Sequence, residues 1–277
     1  MPNRPTQLPD FSNPPVTEVV VGFQFNAIGK FVTAHVGLLW DEFKNEFPDA
    51  EEHPPVMPAF ETFGQSSPLL SGMSFGFPGI FTMQRSFFVN QDKTQIVQVQ
   101  KDRFLHNWRK TGEGDAYPRF ERILHVFQQG LERFTSFVTK WDLGPLEPNQ
   151  CEVTYINQVP LLAKEEPYAA MTRIFDGLIG HPNMSELGFP NDARLLLRYI
   201  IPGVDGDPIG RLTISAEPAK RVSGDDIIQI SLTARGAPMP ADVSGVMAFL
   251  QEGRIHIVRG FTSITSSNMH AVWGRKQ

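Results

Sequence analysis

The sequence predicts an α+β chain, on three observations. Short stretches in which apolar and polar residues alternate come in groups of three, the pattern of antiparallel strands. Two much longer stretches carry apolar residues at spacings of three and four, the pattern of long amphipathic helices. The order β-α-loop-β-β-β-α also runs twice through the 277 residues, with opening strands near Thr17 and Glu152 and closing tryptophans at Trp141 and Trp273. The expected architecture is an extended arm over 1–15 followed by two tandem halves, 16–142 and 151–277. Each half would be an antiparallel sheet covered by long helices, and the two would be related by an internal pseudo-twofold.

The arm is proline-rich and has no apolar period. Val19, Val21, Phe23 and Phe25 then alternate against Glu18, Val20, Gly22 and Gln24, which predicts a strand. From Phe31 to Phe47 the period changes: Val32, Val36, Leu39, Trp40, Phe43 and Phe47 share one helix face, and Pro48 ends it. Residues 48–79 show no period, yet they carry Phe60, Phe63, Phe75 and Phe77, so the expectation is a functional loop that packs on something. Three strands follow over 81–90, 94–100 and 103–108, the last placing Phe104, His106 and Trp108 on one face. Pro118 fits the first turn of a helix whose stripe runs from Phe120 through Phe127 and Phe134 to Trp141.

After Leu143–Gln150 the pattern restarts. A strand over 151–161, a helix over 166–178, a loop over 180–192 and three strands over 193–202, 211–218 and 226–236 are expected. A long helix from about Ala241 follows, and a final turn holds Met269, Val272 and Trp273. Asp205 and Asp207, like Asp225 and Asp226, read as turn residues rather than metal ligands.

Composition narrows the function. The net charge of −5 disfavours a general nucleic-acid binder. A single cysteine, Cys151, excludes an internal disulfide and reads as a small buried residue ahead of an apolar strand. The polar start lacks the apolar core of an export signal, and no long apolar run is present, so a cytoplasmic chain without a membrane partner is expected. No phosphate-binding loop, HExxH or GxSxG motif occurs. Neither the glycines of 71–79 nor Ser66 and Ser67 make a site, and no metal or cofactor is expected.

The segment 98–123 is the richest in functional side chains, with Arg103, Arg109 and Arg119 interleaved with His106, Trp108 and Tyr117. Arginine beside an aromatic ring grips carboxylate or phosphate and stacks on planar groups. Asn107 and Asn157 are polar residues inside strand text, and buried ones must find partners. Residues 253–277 hold Arg254, Arg259, Arg275 and Lys276 with no acid. Residues 41–61 hold seven acids against Lys44, so the two stretches predict cross-half contacts, head-to-tail association or simply a solvated helix face.

NPPVTEVVVGFQF, VQVQKDRFLHNWRK with YPRFERI, CEVTYINQVP and FTSITSSNMHAVWGR, in that order, resemble a sporadically distributed family of uncharacterised bacterial proteins. The resemblance spans nearly the whole chain and implies a gene of accessory or phage-defence loci. Its matched residues here are Pro15, Glu18, Arg103, Asn107, Trp108, Tyr117, Pro118, Tyr155, Asn157, Thr262, Thr265, His270 and Trp273.

The expected function is a binding or accessory protein whose groove is walled by 98–122 and lidded by 48–79. Its partner would be a protein, a second copy or a small anionic ligand. The binding set is Arg103, His106, Asn107, Trp108, Arg109, Tyr117, Arg119, Asn157 and His270. The alternative is an enzyme acting on an anionic small molecule, with His106 or His270 as acid–base and Arg103 or Arg109 as clamp.

Overall fold

The computed structural model describes residues 8–64, 84–112, 114–177, 188 and 190–276. The chain is mixed α+β, and its strands form one antiparallel sheet. In the first half these are β1 (Val16–Phe25), β2 (Asp49–His53), β3 (Arg85–Val89), β4 (Gln95–Gln100) and β5 (Arg103–Arg109). In the second half they are β6 (Pro148–Pro160), β7 (Leu195–Pro202), β8 (Pro208–Lys220) and β9 (Asp226–Gly236). The order across the sheet is β2-β3-β4-β5-β1-β6-β9-β8-β7. The expectation of a separate sheet for each half is corrected here. The opening strands β1 and β6 pair with each other, Val21 opposite Val153 and Phe23 opposite Cys151, and fuse the two meanders into one surface.

Among the described residues five helices are interspersed: α1 (Thr33–Phe43), α2 (Phe120–Lys140), α3 (Pro167–Ile174), α4 (Val243–Ile264) and α5 (Ser267–Val272). The alternation read in β1 is what buries Val19, Val21, Phe23 and Phe25. Phe23 meets Phe127 of α2, Phe25 meets Phe134, and Phe104 of β5 lies against both α2 rings, so this helix seats on β1 and β5. α4 lies on β6, β9 and β8, close enough that a Cβ at Gly253 would come within 3.1 Å of the Ala234 Cβ. Asp242 caps α4 through the Gly245 amide, and Ser266 caps α5 through the Met269 amide.

Three local readings change. Asp49–His53 forms strand β2 on β3, although its run of charged residues carries no apolar period, because an edge strand is exposed on both faces. Trp141 lies just beyond α2 and is half-exposed, whereas Trp273 is buried. The acidic stretch 41–61 and the basic C-terminal stretch make cross-half ion pairs, Glu61 with Arg211 and Arg254 with Glu121, but not with each other: Glu42 pairs with Lys140, Glu46 with Arg133, and Lys276 with Asp10 of the arm. The 71–79 glycines, Ser66, Ser67 and most of the 180–192 loop fall outside the described residues.

The arm is extended from Leu8 and tied down. Phe11 bridges Arg275, Ser12 and Asn13 donate to the carbonyls of Gly274 and Trp273, and the Phe11 ring is buried against Phe261, His270 and Trp273.

Candidate functional site

Strand register sorts the expected binding residues onto opposite faces of the sheet. In β5, His106 lies opposite Val21 and Val97 and shares their face, with Phe104 and Trp108, on the side of α2. Arg103, Asn107 and Arg109 take the other face. The alternation that named all five therefore splits them.

Trp108, Tyr117, Arg119 and Asn157 gather at one place on the helix side. The Trp108 and Tyr117 rings lie 5.5 Å apart, and the Tyr117 hydroxyl sits 3.0 Å from that of Tyr155, on the central strand β6. Tyr117, Arg119 and Asn157 line a cavity of about 300 Å³ that also has Phe120, Tyr155, Arg254, Ile257 and Phe261 in its wall. The cavity lies between the start of α2 and the middle of α4, over the β1–β6 seam. Leu8 to Phe11 of the arm complete its wall.

Its surface is mostly apolar, and its polar groups are largely spent on each other. Asp10 accepts from Arg119 at 2.7 Å and from Lys276 at 3.1 Å, and Glu121 pairs with Arg254 at 3.0 Å. Asn157 donates to the Ile230 carbonyl at 3.3 Å. What remains is donors. The buried Nε of Arg254 has no hydrogen-bond partner among the described residues. Burial pushes the Tyr117 phenol up to about 12 and raises that of Tyr155 as well, so both stay protonated at neutral pH. Whichever hydroxyl donates in the Tyr117–Tyr155 bond, one phenolic proton is left over.

Arg119, at the mouth, stands immediately before α2 with φ 74° and ψ 153°, a region populated almost only by glycine. Three partners hold it there: the Asp10 carboxylate, the Phe11 carbonyl at 3.3 Å, and the Tyr117 ring, 5.8 Å from the guanidinium carbon.

His106 is fully buried, burial pushes its pKa down to about 3, and neither ring nitrogen has a hydrogen-bond partner among the described residues. His270 contacts Phe11 of the cavity wall but is not itself in that wall. Its ring contacts Thr265 Oγ1 at 2.9 Å and Arg275 at 3.1 Å, and burial and the Arg275 charge hold its pKa below the ordinary value. Neither histidine meets Arg103 or Arg109 in a common site. Cys151 is buried on β6, and burial pushes its thiol pKa up.

On the opposite face, Asn107 accepts from Gln98 at 2.6 Å and donates to Glu18 at 2.5 Å. Arg109 donates to the Lys93 carbonyl at 2.8 Å, and Arg103 reaches Gln24 and the Met57 carbonyl, each at 3.0 Å. Of the expected lid, 48–79, residues 48–64 are described: 49–53 form β2, and 54–64 run over this face and not over the cavity. Sequence reading passed over Tyr155 and Arg254 as wall residues, and Gln24, Gln100 and Gln150 on the other face. The signal for the glutamines was present: each occupies the polar phase of a strand whose other phase is apolar.

Among the described residues, no group of three or more His, Cys, Asp or Glu is placed to hold a metal ion, and no helix is long and apolar enough to cross a membrane. Comparison with family models, curated proteins and solved structures finds no match.

Proposed function

We propose that the chain is a binding protein whose ligand is a small amphipathic molecule held in the cavity over the β1–β6 seam, with its polar end an oxygen acceptor such as a carboxylate. The observation that carries this reading is the mismatch in the cavity wall. Among the described residues both carboxylates are already paired, while one phenolic proton of the Tyr117–Tyr155 pair is not. A buried unpaired donor costs about 1–3 kcal/mol, and a ligand oxygen would relieve it. The apolar wall favours a hydrocarbon or aromatic body, and 300 Å³ is at the lower end of ordinary ligand pockets.

We further infer that the halves are a duplication whose long helices α2 and α4 together roof one face. The strand order supports this: each opening strand is flanked by its own half's last strand, β5 beside β1 and β9 beside β6. A cavity at the join of two such halves belongs to neither alone, which suits a ligand that locks them together.

The test is thermal denaturation of the purified chain with decanoate and with 3-phenylpropionate, for the wild type and for Val258→Trp. Val258 is a half-buried wall residue whose enlargement fills the cavity. A ligand-dependent rise in Tm that disappears in a folded Val258→Trp and weakens in Tyr117→Phe is expected. An equal rise in all three proteins would put the ligand elsewhere.

A further inference from the structure

The face opposite the cavity is crossed by residues 54–64, and their contacts have an unusual character. Strand after strand, the sheet offers them one side chain. Gln100 of β4 accepts from the Val56 N–H at 2.9 Å and donates to the Val56 carbonyl at 3.0 Å, pairing both main-chain groups of one residue. Arg103 of β5 donates to the Met57 carbonyl, and Gln24 of β1 accepts from the Ala59 N–H, both at 3.0 Å. Gln150 of β6 accepts from the Glu61 N–H at 3.3 Å, and Arg211 of β8 donates to the Thr62 carbonyl at 3.0 Å.

Every one of these bonds reads the strap's backbone. A single strap side chain is read as an ion: the Glu61 carboxylate lies 2.8 Å from Arg211 and 3.8 Å from Arg235. Arg235 is in turn paired with Glu152 of β6. Of the strap's large apolar side chains, Met57 and Phe60 stay 53% and 58% exposed, and Phe63 is half-buried with the Arg211 guanidinium 5.4 Å from its ring. The floor beneath is polar, with Gln24, Gln100, Asp102, Arg103 and Gln150 all buried. Lifting the strap would wet amides and charges, which water can satisfy, and would uncover little apolar surface.

We propose that this face is a peptide-binding groove and that residues 54–64 are its resident occupant. An extended segment of a partner protein, with an acidic residue at the place of Glu61, takes over the same row of side chains when the strap leaves. Backbone-reading side chains supply affinity for any extended chain, and the Arg211–Arg235 pair supplies the preference for a carboxylate. This site shares no residue with the cavity, so either can fail without the other.

The probe is a labelled synthetic peptide with the sequence of residues 54–64, PPVMPAFETFG, titrated by fluorescence anisotropy against the full-length wild type and against Glu61→Ala. A tethered occupant competes at millimolar effective concentration, so the wild type binds weakly. Glu61→Ala, whose strap has lost its ionic anchor, is expected to bind at least tenfold tighter. Changing the peptide's own glutamate to glutamine is expected to cost about tenfold, and added salt to weaken binding. Equal affinities for both proteins, or for both peptides, overturn the proposal. So does dimerisation of Glu61→Ala by strap exchange, which would make a second copy the occupant.

Hydrogen exchange on the wild type gives a check that needs no variant. The amides of Val56, Ala59 and Glu61 are expected to exchange at least a hundredfold faster than those of β6 paired inside the sheet. Exchange at the same rate as the β6 core would mean that the strap leaves only on global unfolding, and would also overturn the proposal.

Discussion

At the scale of single residues, two side chains stand against their surroundings. His106 has neither ring nitrogen hydrogen-bonded among the described residues, and it faces Val21 and Val97 on the neighbouring strands. Its pKa falls from 6.5 to about 3 because burial penalises the charged ring. The unfolded chain therefore binds a proton that the folded chain refuses between those pH values, and stability must fall as pH falls through that window. Between pH 6.5 and about 3, each unit of acidification shifts the folding equilibrium about tenfold toward the unfolded state through this residue alone. His106→Leu is expected to stay within about 1 kcal/mol of the wild type at neutral pH. It should then lose less stability on acidification, read as urea midpoints at pH 7.5, 5.5 and 4.5; parallel curves would show that the ring is not buried neutral. Arg119 pays differently, in backbone strain. Arg119→Gly and Arg119→Ala both lose the half-exposed Asp10 pair, which is worth little, but only glycine relaxes at φ 74°. The glycine variant is expected to be more stable than the alanine variant by about 1 kcal/mol in urea unfolding.

At the scale of elements, helix glycines separate propensity from packing. Gly37 lies in α1 with nothing within 4 Å of where a Cβ would stand, so Gly37→Ala should stabilise by the helix propensity difference, about 1 kcal/mol. For a chain of this size that raises Tm by about 2–4 °C. Gly253 in α4 offers the same propensity gain, but its Cβ would meet Ala234 Cβ at 3.1 Å and Val153 Cγ2 at 3.3 Å on two central strands. There the gain should be cancelled, and Gly253→Leu should cost about 3 kcal/mol as overpacking. Scanning calorimetry of the three variants would settle the order; a stabilising Gly253→Ala would mean that α4 can ride away from the sheet. The elements themselves were legible because each buries one face, so β1, α2, β9 and α4 announce themselves by period. β2 was not legible, since a strand exposed on both sides has no apolar phase to read. The candidate site was legible only in part. Period places Asn157 in its strand, and composition singles out Tyr117 ahead of α2, but neither can tell which two elements, far apart in sequence, will face each other across a cavity.

At the scale of the whole molecule, the β1–β6 seam governs. Val19, Val21 and Phe23 of β1 lie opposite Tyr155, Val153 and Cys151 of β6, and all six are buried. One hydrophobic cluster runs through both halves, from Phe104 and Phe127 to Leu232 and Leu250. The sequence showed two similar runs of elements and could not show that their first strands pair, because alternation fixes which face a strand buries but not its neighbour. The consequence is energetic. A chain cut between residues 144 and 145 yields two pieces, each of which turns a long apolar strand, β1 or β6, into a sheet edge. Exposed apolar edges pair with whatever strand they find, so each fragment alone is expected to aggregate or to unfold without a cooperative transition. Produced together, they are expected to assemble into a 1:1 complex that melts in one step, because the seam supplies the missing edge to both. Gel filtration and calorimetry of the separate and co-expressed fragments read this directly. A lone fragment that melted cooperatively would mean that its half has a core of its own. The cavity over the seam would then lie at a contact between two folded units and not within a single one.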